Sequence, residues 1–167
     1  TTEKENYIII IDLEKNVQVS TAVGHTDVIN GLCFSGNGKY LASGGDDNAI
    51  RIWKVEPGSA LVNITTIQAE SRVSSLSFNP KTQDLALAVE ASEVYIYPLA
   101  GLDKGISKLV PRLLKGHKGP IHRVLYSPDG TYLASSSLHN ELIVWDNNGS
   151  VVKKFENEYP VEDYDRT

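Results

Sequence analysis

Apolar residues along this chain come in short runs, and turn-forming residues interrupt every one of them. Val28 to Phe34 alternates apolar with polar or small positions, the period of two expected of a strand with one buried face. Ser35-Gly36-Asn37-Gly38 follows, with glycine and asparagine suited to a turn at positive φ. A second strand is predicted over Tyr40 to Gly44, a tight turn at Asp46-Asp47-Asn48, and a third strand over Ala49 to Trp53. A looser run, Leu61 to Ile67, makes a fourth. No segment holds a long 3.6-residue apolar period, so almost no helix is expected.

The pattern repeats. Gly24 to Lys54 lines up with Gly116 to Asp146, and His25 stands 28 positions before Trp53 just as His117 stands before Trp145. Between them lies a degraded copy, Arg72 to Pro98. Phe34 to Trp53, Phe78 to Tyr97 and Tyr126 to Trp145 are each 19 apart. The third copy predicts strands over Ile121 to Tyr126, Tyr132 to Ser136, Leu142 to Trp145 and Val151 to Phe155, with turns at Pro128-Asp129-Gly130 and His139-Asn140. The N-terminal stretch NYIIIIDLEKNVQVSTAV reads as the third and fourth strands of a preceding unit, with Ile11-Asp12 at the end of the third. Four short antiparallel strands per repeat of this length describe the blade of a β-propeller. The expected fold is therefore all-β, about 3.5 four-stranded antiparallel blades of an incomplete ring. Its parts are two strands of a preceding blade in 1–23, a blade in 24–67, a degenerate blade in 68–114, a blade in 115–155, and an acidic tail or link in 156–167.

Composition narrows the function classes. The chain has 167 residues, a net charge of −5 and no cluster of lysine and arginine, so neither nucleic acid nor an anionic membrane is an expected partner. Ile8 to Ile11 is far too short to cross a bilayer as a helix. The single cysteine, Cys33, lies in an apolar run, so no intramolecular disulfide forms and a reducing, cytoplasmic setting is expected. The opening TTEKEN does not look like a signal peptide, and the absence of methionine suggests that the chain does not begin at a natural start. An arc of about fourteen strands would leave unpaired edges, so the remaining blades of a longer chain are expected as neighbours. Completion by a second copy fits less well, because each copy would leave the same gap before Tyr7.

Gly24-His25 and Gly116-His117, the stretch SPDGTYLASSS and the ending ELIVWD resemble the WD40-repeat family, over about Gly24 to Phe155 in three copies. The middle copy departs most, with Gln68-Ala69-Glu70-Ser71 in place of Gly-His and Tyr97-Pro98 in place of Trp-Asp. The resemblance implies a non-catalytic scaffold that docks other proteins, without cofactor or metal. It also implies a buried hydrogen-bonded staple: His25, Ser43, Asp47 and Trp53 in the first copy, and His117, Ser135 and Trp145 in the third. There His139 stands where Asp47 does, so the third staple is expected to be incomplete or differently bonded, with His139 facing solvent. A hydrolase using His25, Ser43 and Asp47 is the distant alternative, since no G-x-S-x-G elbow is present.

Other signals carry less chemistry. His25, His117, His122 and His139 do not form a metal-binding spacing. GLDKGISK, Gly101 to Lys108, lacks the order of a phosphate-binding loop and reads as a solvated connection. Glu156, Glu158, Glu162, Asp163 and Asp165 read as a tail rather than an acid/base pair. On the family pattern, partner-binding residues of the top face are Thr26, Asp27, Asn30, Asp46, Arg72, Ser74, Lys118, His122 and Leu138. A narrower resemblance, to the last blades of actin-interacting WD40 proteins that assist cofilin in dismantling filaments, implies actin and cofilin as partners. The tail NNGSVVKKFENEYPVEDYDRT fits that narrower group less well.

Overall fold

A computed structural model describes residues 6–102 and 109–156, so most of Gly101 to Lys108 and all of the acidic tail beyond Glu156 lie outside the described residues. Among the described residues, fourteen strands follow one another. β1 (Asn6–Asp12) and β2 (Val17–His25) form a two-stranded sheet. β3 (Ile29–Phe34), β4 (Tyr40–Gly45), β5 (Ala49–Lys54) and β6 (Val62–Gln68) form the first four-stranded blade. β7 (Val73–Phe78), β8 (Asp84–Val89), β9 (Glu93–Pro98) and β10 (Arg112–Lys115) form the second. β11 (Ile121–Tyr126), β12 (Tyr132–Ser137), β13 (Glu141–Asp146) and β14 (Val151–Glu156) form the third. Every pairing is antiparallel between neighbours in sequence. This is a β-propeller architecture of about three and a half blades, an open arc of a ring.

The turns use the residues that their geometry needs. Gly38 and Gly130 take φ of +69° and +67° between the first and second strands of their blades. Asn48 and Asn140, at matching places in the next turn, take +59° and +57°, a conformation that asparagine tolerates better than most side chains.

Cores form between blades rather than within them. β8 shows why: Leu85 to Val89 are all buried, and alternation sends them to opposite faces. Leu85, Leu87 and Val89 pack with Ala42, Ile50 and Ile52 of the first blade. Ala86 and Ala88 pack with Val124, Leu133, Ile143 and Trp145 of the third. Ile8 and Ala22 of the two-stranded sheet pack in the same way on Leu41 and Trp53. Cys33 lies half-buried against the first of these cores, where burial pushes its thiol up to about 12 and keeps it an unreactive apolar group. The outer faces of the arc carry exposed apolar side chains, Tyr7, Ile9 and Ile11 at one end and Leu142, Val152 and Phe155 at the other.

β2 runs on to His25, so the Gly-His pair closes the outer strand of the preceding sheet instead of opening the next blade. The imidazole therefore reaches across from one sheet to the next.

One close approach between blades predicts a measurable cost. A Cβ on Gly44 would lie 2.7 Å from Val73 Cγ1 and 2.9 Å from Leu76 Cδ2, both in the neighbouring blade. Gly44→Ala should destabilise the fold by about 1–3 kcal/mol through overpacking. Thermal melts should show a lowered midpoint, partly restored when Val73→Ala is added.

Candidate docking surface

Two serine-centred networks decide whether this chain carries buried catalytic chemistry or buried structure. In the first blade, His25 Nε2 lies 2.7 Å from Ser43 Oγ, and His25 Nδ1 lies 2.8 Å from Asp47 Oδ2. That connectivity is the one found in a Ser-His-Asp triad. Access is what differs. Ser43 is fully buried and the His25 side chain is 1% exposed, so no substrate reaches the hydroxyl. Trp53 Nε1–H also donates to Ser43 Oγ at 2.8 Å, occupying the oxygen on its other side. With the Ser43 hydroxyl donating to Nε2 and Nδ1–H donating to Asp47, every polar group of the set has a partner.

Burial governs the ionisation of these groups. It lowers the His25 pKa, against the pull of Asp47, and keeps the ring neutral. Burial alone would raise Asp47, but N–H donors from Thr26 (3.1 Å) and Ala49 (3.1 Å), together with His25, outweigh it and hold the carboxyl low.

The third blade builds the same network with a different acid. His117 Nε2 lies 2.7 Å from Ser135 Oγ, which accepts Trp145 Nε1–H at 2.8 Å. His139, the residue in register with Asp47, is exposed and takes no part. Glu141 takes its place, with Oε2 at 3.2 Å from His117 Nδ1 and 2.8 Å from the Lys118 N–H. Its longer side chain reaches back from the first position of β13, where the first blade has Ala49. Burial would raise Glu141, yet the Lys118 N–H, Lys154 at 3.2 Å and His117 hold it down at about 2. The third set is thus differently bonded rather than incomplete. The signal that finds it is the acidic residue at the start of the strand, two places beyond the turn position. In the second blade the matching positions are Ala69, Leu87, Ala91 and Tyr97, none of which carries a histidine, serine or acid.

The nine top-face residues divide by what their side chains already do. Each innermost strand carries a β-bulge at the same place, with register breaks at Ile29/Gly31, Val73/Ser75 and Ile121/Arg123. The residue at each break is turned sideways: Asn30, Ser74 and His122. Asn30 Nδ2–H donates to Asp46 Oδ1 (2.6 Å) and to Val73 O of the next blade (3.0 Å). Ser74 Oγ–H lies 3.0 Å from Ile121 O of the blade after it. Asn30 and Ser74 therefore tie blades together. Asp27 accepts the N–H of Val28 (2.8 Å), and Thr26 and Lys118 present backbone N–H groups to the two buried acids. The Lys118 ammonium pairs with Glu156 at 3.1 Å, and Leu138 is 63% exposed.

Asn30, Arg72, Ser74 and His122 line one concavity of about 270 Å³, joined by Arg123. Arg72 pairs with Glu90 at 3.3 Å, both half-exposed. Neither the His122 ring nor the Arg123 guanidinium has a side-chain partner among the described residues. Arg123 also lines the adjoining concavity of about 300 Å³ along the innermost strands, beside Leu32 and Leu125. Sequence reasoning passed over Arg123 because only the bulge beside it turns neighbouring residues toward the same hollow. Thr26, Asp27, Asp46, Lys118 and Leu138 lie outside its lining. No cluster of three His, Cys, Asp or Glu side chains suited to a metal ion occurs among the described residues.

Comparison with known proteins matches residues 16–54 and 108–146 to the WD domain, G-beta repeat. Over 133 residues the chain is 32% identical to the chromatin assembly factor 1 subunit FAS2 homolog of Oryza sativa subsp. japonica, covering 75% of this chain and 26% of that protein. It is 31% identical to a chromatin assembly factor 1 subunit of Gallus gallus over 126 residues, 64% of this chain and 22% of that one. WD repeat-containing protein 1 of Rattus norvegicus is 31% identical over 157 residues, 91% of this chain and 25% of the relative. The chain thus spans about a quarter of the length of these relatives.

The buried networks set two expectations. Ser43→Ala leaves Trp53 Nε1–H and His25 Nε2 without their partner, which should cost about 1–3 kcal/mol in chemical denaturation. Acid should act in two stages. The histidines bind protons more readily when unfolded, so their contribution is complete above 6.5 and is lost as the pH falls below it. Glu141, ordinarily 4.5, also binds protons more readily when unfolded; its contribution is complete above about 4.5 and is lost as the pH falls toward 2. Unfolding curves taken across that range should be flatter for Glu141→Gln than for the unsubstituted chain.

Proposed function

We propose that this chain, which carries WD40 repeats, is part of a non-catalytic scaffold that docks other proteins at the hollow lined by Arg72, His122 and Arg123. The observation that carries this reading is the convergence of two consecutive blades, and the bulge of the first, on one rigid concavity holding a guanidinium with no side-chain partner among the described residues. Tied walls and a free cation suit a site that receives a group from outside: the hydrogen bonds of Asn30 and Ser74 hold its shape, and no described acid consumes Arg123. An acidic segment of a partner matches that charge, with attraction that weakens as salt screens it.

Two finer readings name the partner class. The blade sequences resemble actin-interacting WD40 proteins, which supports an actin-binding cofactor that assists cofilin-driven filament disassembly. Two relatives are named as chromatin assembly factor subunits, which supports a place in a chromatin-assembling complex. Co-sedimentation of the full-length protein with filamentous actin, with and without cofilin, beside pull-down with core histones separates them. No effect on filaments removes the first, and no histone retention removes the second.

The docking reading itself is tested with a labelled oligoglutamate peptide. Saturable binding that weakens with ionic strength, and falls at least tenfold in Arg72→Glu/Arg123→Glu without a change in melting temperature, is the expected outcome. Equal binding by the variant would show that this hollow is not the docking site.

A further inference from the structure

The second blade lacks the imidazole, serine and indole of its neighbours, keeping only an acid, Glu93, in register with Glu141, and the space has not closed. Where they place imidazole, serine hydroxyl and indole, it has Ala69, Leu87 and Tyr97. Leu87 and Tyr97 are buried in the core shared with the first blade, and Ala69 packs at its margin. A cavity of about 200 Å³ remains, lined by Ala69, Leu87, Val89, Tyr95, Tyr97 and Pro111, with Gln68 and Glu70 as its amide and carboxylate members. It lies between two described blades, so the open ends of the arc have no bearing on it.

Size and chemistry select the occupant. Pockets for cofactors and drug-sized molecules run to about 300–1,000 Å³, whereas a cavity of about 150 Å³ accommodates a benzene ring. This one fits a single large side chain. Its walls are mainly apolar and aromatic, with the Gln68 amide among them, suited to an alkyl stem and a flat group stacked on phenol rings. Its one charged lining group is a carboxylate. Glu70 Oε2 accepts the Tyr95 hydroxyl at 3.2 Å, and no cation pairs with Glu70 among the described residues. Burial first, then Glu70 and Glu93, push the Tyr95 phenol up, and burial and Glu70 do the same to Tyr97. The nearby Arg72 is engaged with Glu90, and Lys115 lies opposite Glu93 in the β9–β10 ladder.

We propose that this inter-blade cavity is a second recognition site, which receives an arginine side chain from a partner protein, its stem against Leu87 and Val89 and its guanidinium on Glu70. A planar guanidinium fits better than an ammonium because it can stack on Tyr95 while it donates to the carboxylate. The site is independent of the cationic hollow, and each stands if the other fails.

Agmatine, a guanidinium on a four-carbon stem, is the probe, and 1-pentanol is its uncharged counterpart. Titration into the isotope-labelled full-length protein should give saturable shifts at Ala69, Leu87 and Tyr95, at least tenfold weaker for pentanol. Glu70→Gln, an exposed and near-isosteric change, should weaken agmatine at least tenfold and leave pentanol unchanged. Ala69→Leu should fill the cavity and abolish both. Absence of saturable agmatine shifts in the unsubstituted protein, or equal agmatine affinity in Glu70→Gln, overturns the proposal.

Discussion

The constraint on which this structure depends is that each sheet is apolar on both faces and cannot bury either one alone. β8 states it most clearly, with five consecutive buried residues directed alternately to the first and third blades. A single four-stranded sheet of this composition would leave one such row in water. Stacking turns those rows into shared cores, so stability resides in the nearest-neighbour interfaces. The exposed rows on the outer sides of β1 and β14 are the same kind of face without a neighbour in the arc.

Apolar stacking brings sheets together but does not choose one orientation, since side chains of similar volume can slide and repack. The polar ties supply direction. His25 reaches from β2 into the first blade, and His117 from the connection after β10 into the third, so each network joins two sheets. Asn30 and Ser74 link blades at one end of the strands. At the other, buried Asn79 donates to Gly130 O at 3.1 Å, between the turns of the second and third blades. Such ties must be satisfied to be worth having, because a buried donor without a partner costs more than a made bond returns. That fits the joint absence of imidazole, serine and indole from the second blade: a lone serine or histidine there would have been an orphan.

Rigidity of this kind has a functional consequence. A hollow made by bulged strands that are bonded to one another keeps its shape without a ligand, and little order has to be imposed when one arrives. The buried serine carries the opposite lesson. Ser43, His25 and Asp47 reproduce the bonding of a hydrolytic triad, but an indole and a closed core occupy the places that a substrate and solvent would need. Bonding alone does not make a nucleophile. Access does.

Much of this was legible in the residues themselves. Period-2 runs and asparagine- or glycine-bearing turns are local effects, so the strands and their order follow from neighbours along the chain. The repeat spacing then aligns His25 with His117 and Trp53 with Trp145, and the fold class comes with it. What depended on three dimensions is reach. Glu141 replaces Asp47 because a side chain one methylene longer can return from the next strand to the same imidazole, a substitution that a fixed spacing assigns to His139. Asn30 and Ser74 became ties, and Arg123 a free cation, because bulges turn side chains toward blades 43 and 47 residues away in sequence. The cavity beside Glu70 exists only as the difference between what two sheets enclose and what their side chains fill. The chain by itself determined the repeating element, because strand and turn preferences act over a few residues. The tertiary structure decided which polar groups are spent and which are left for a partner, because that depends on distances between residues that the sequence keeps apart.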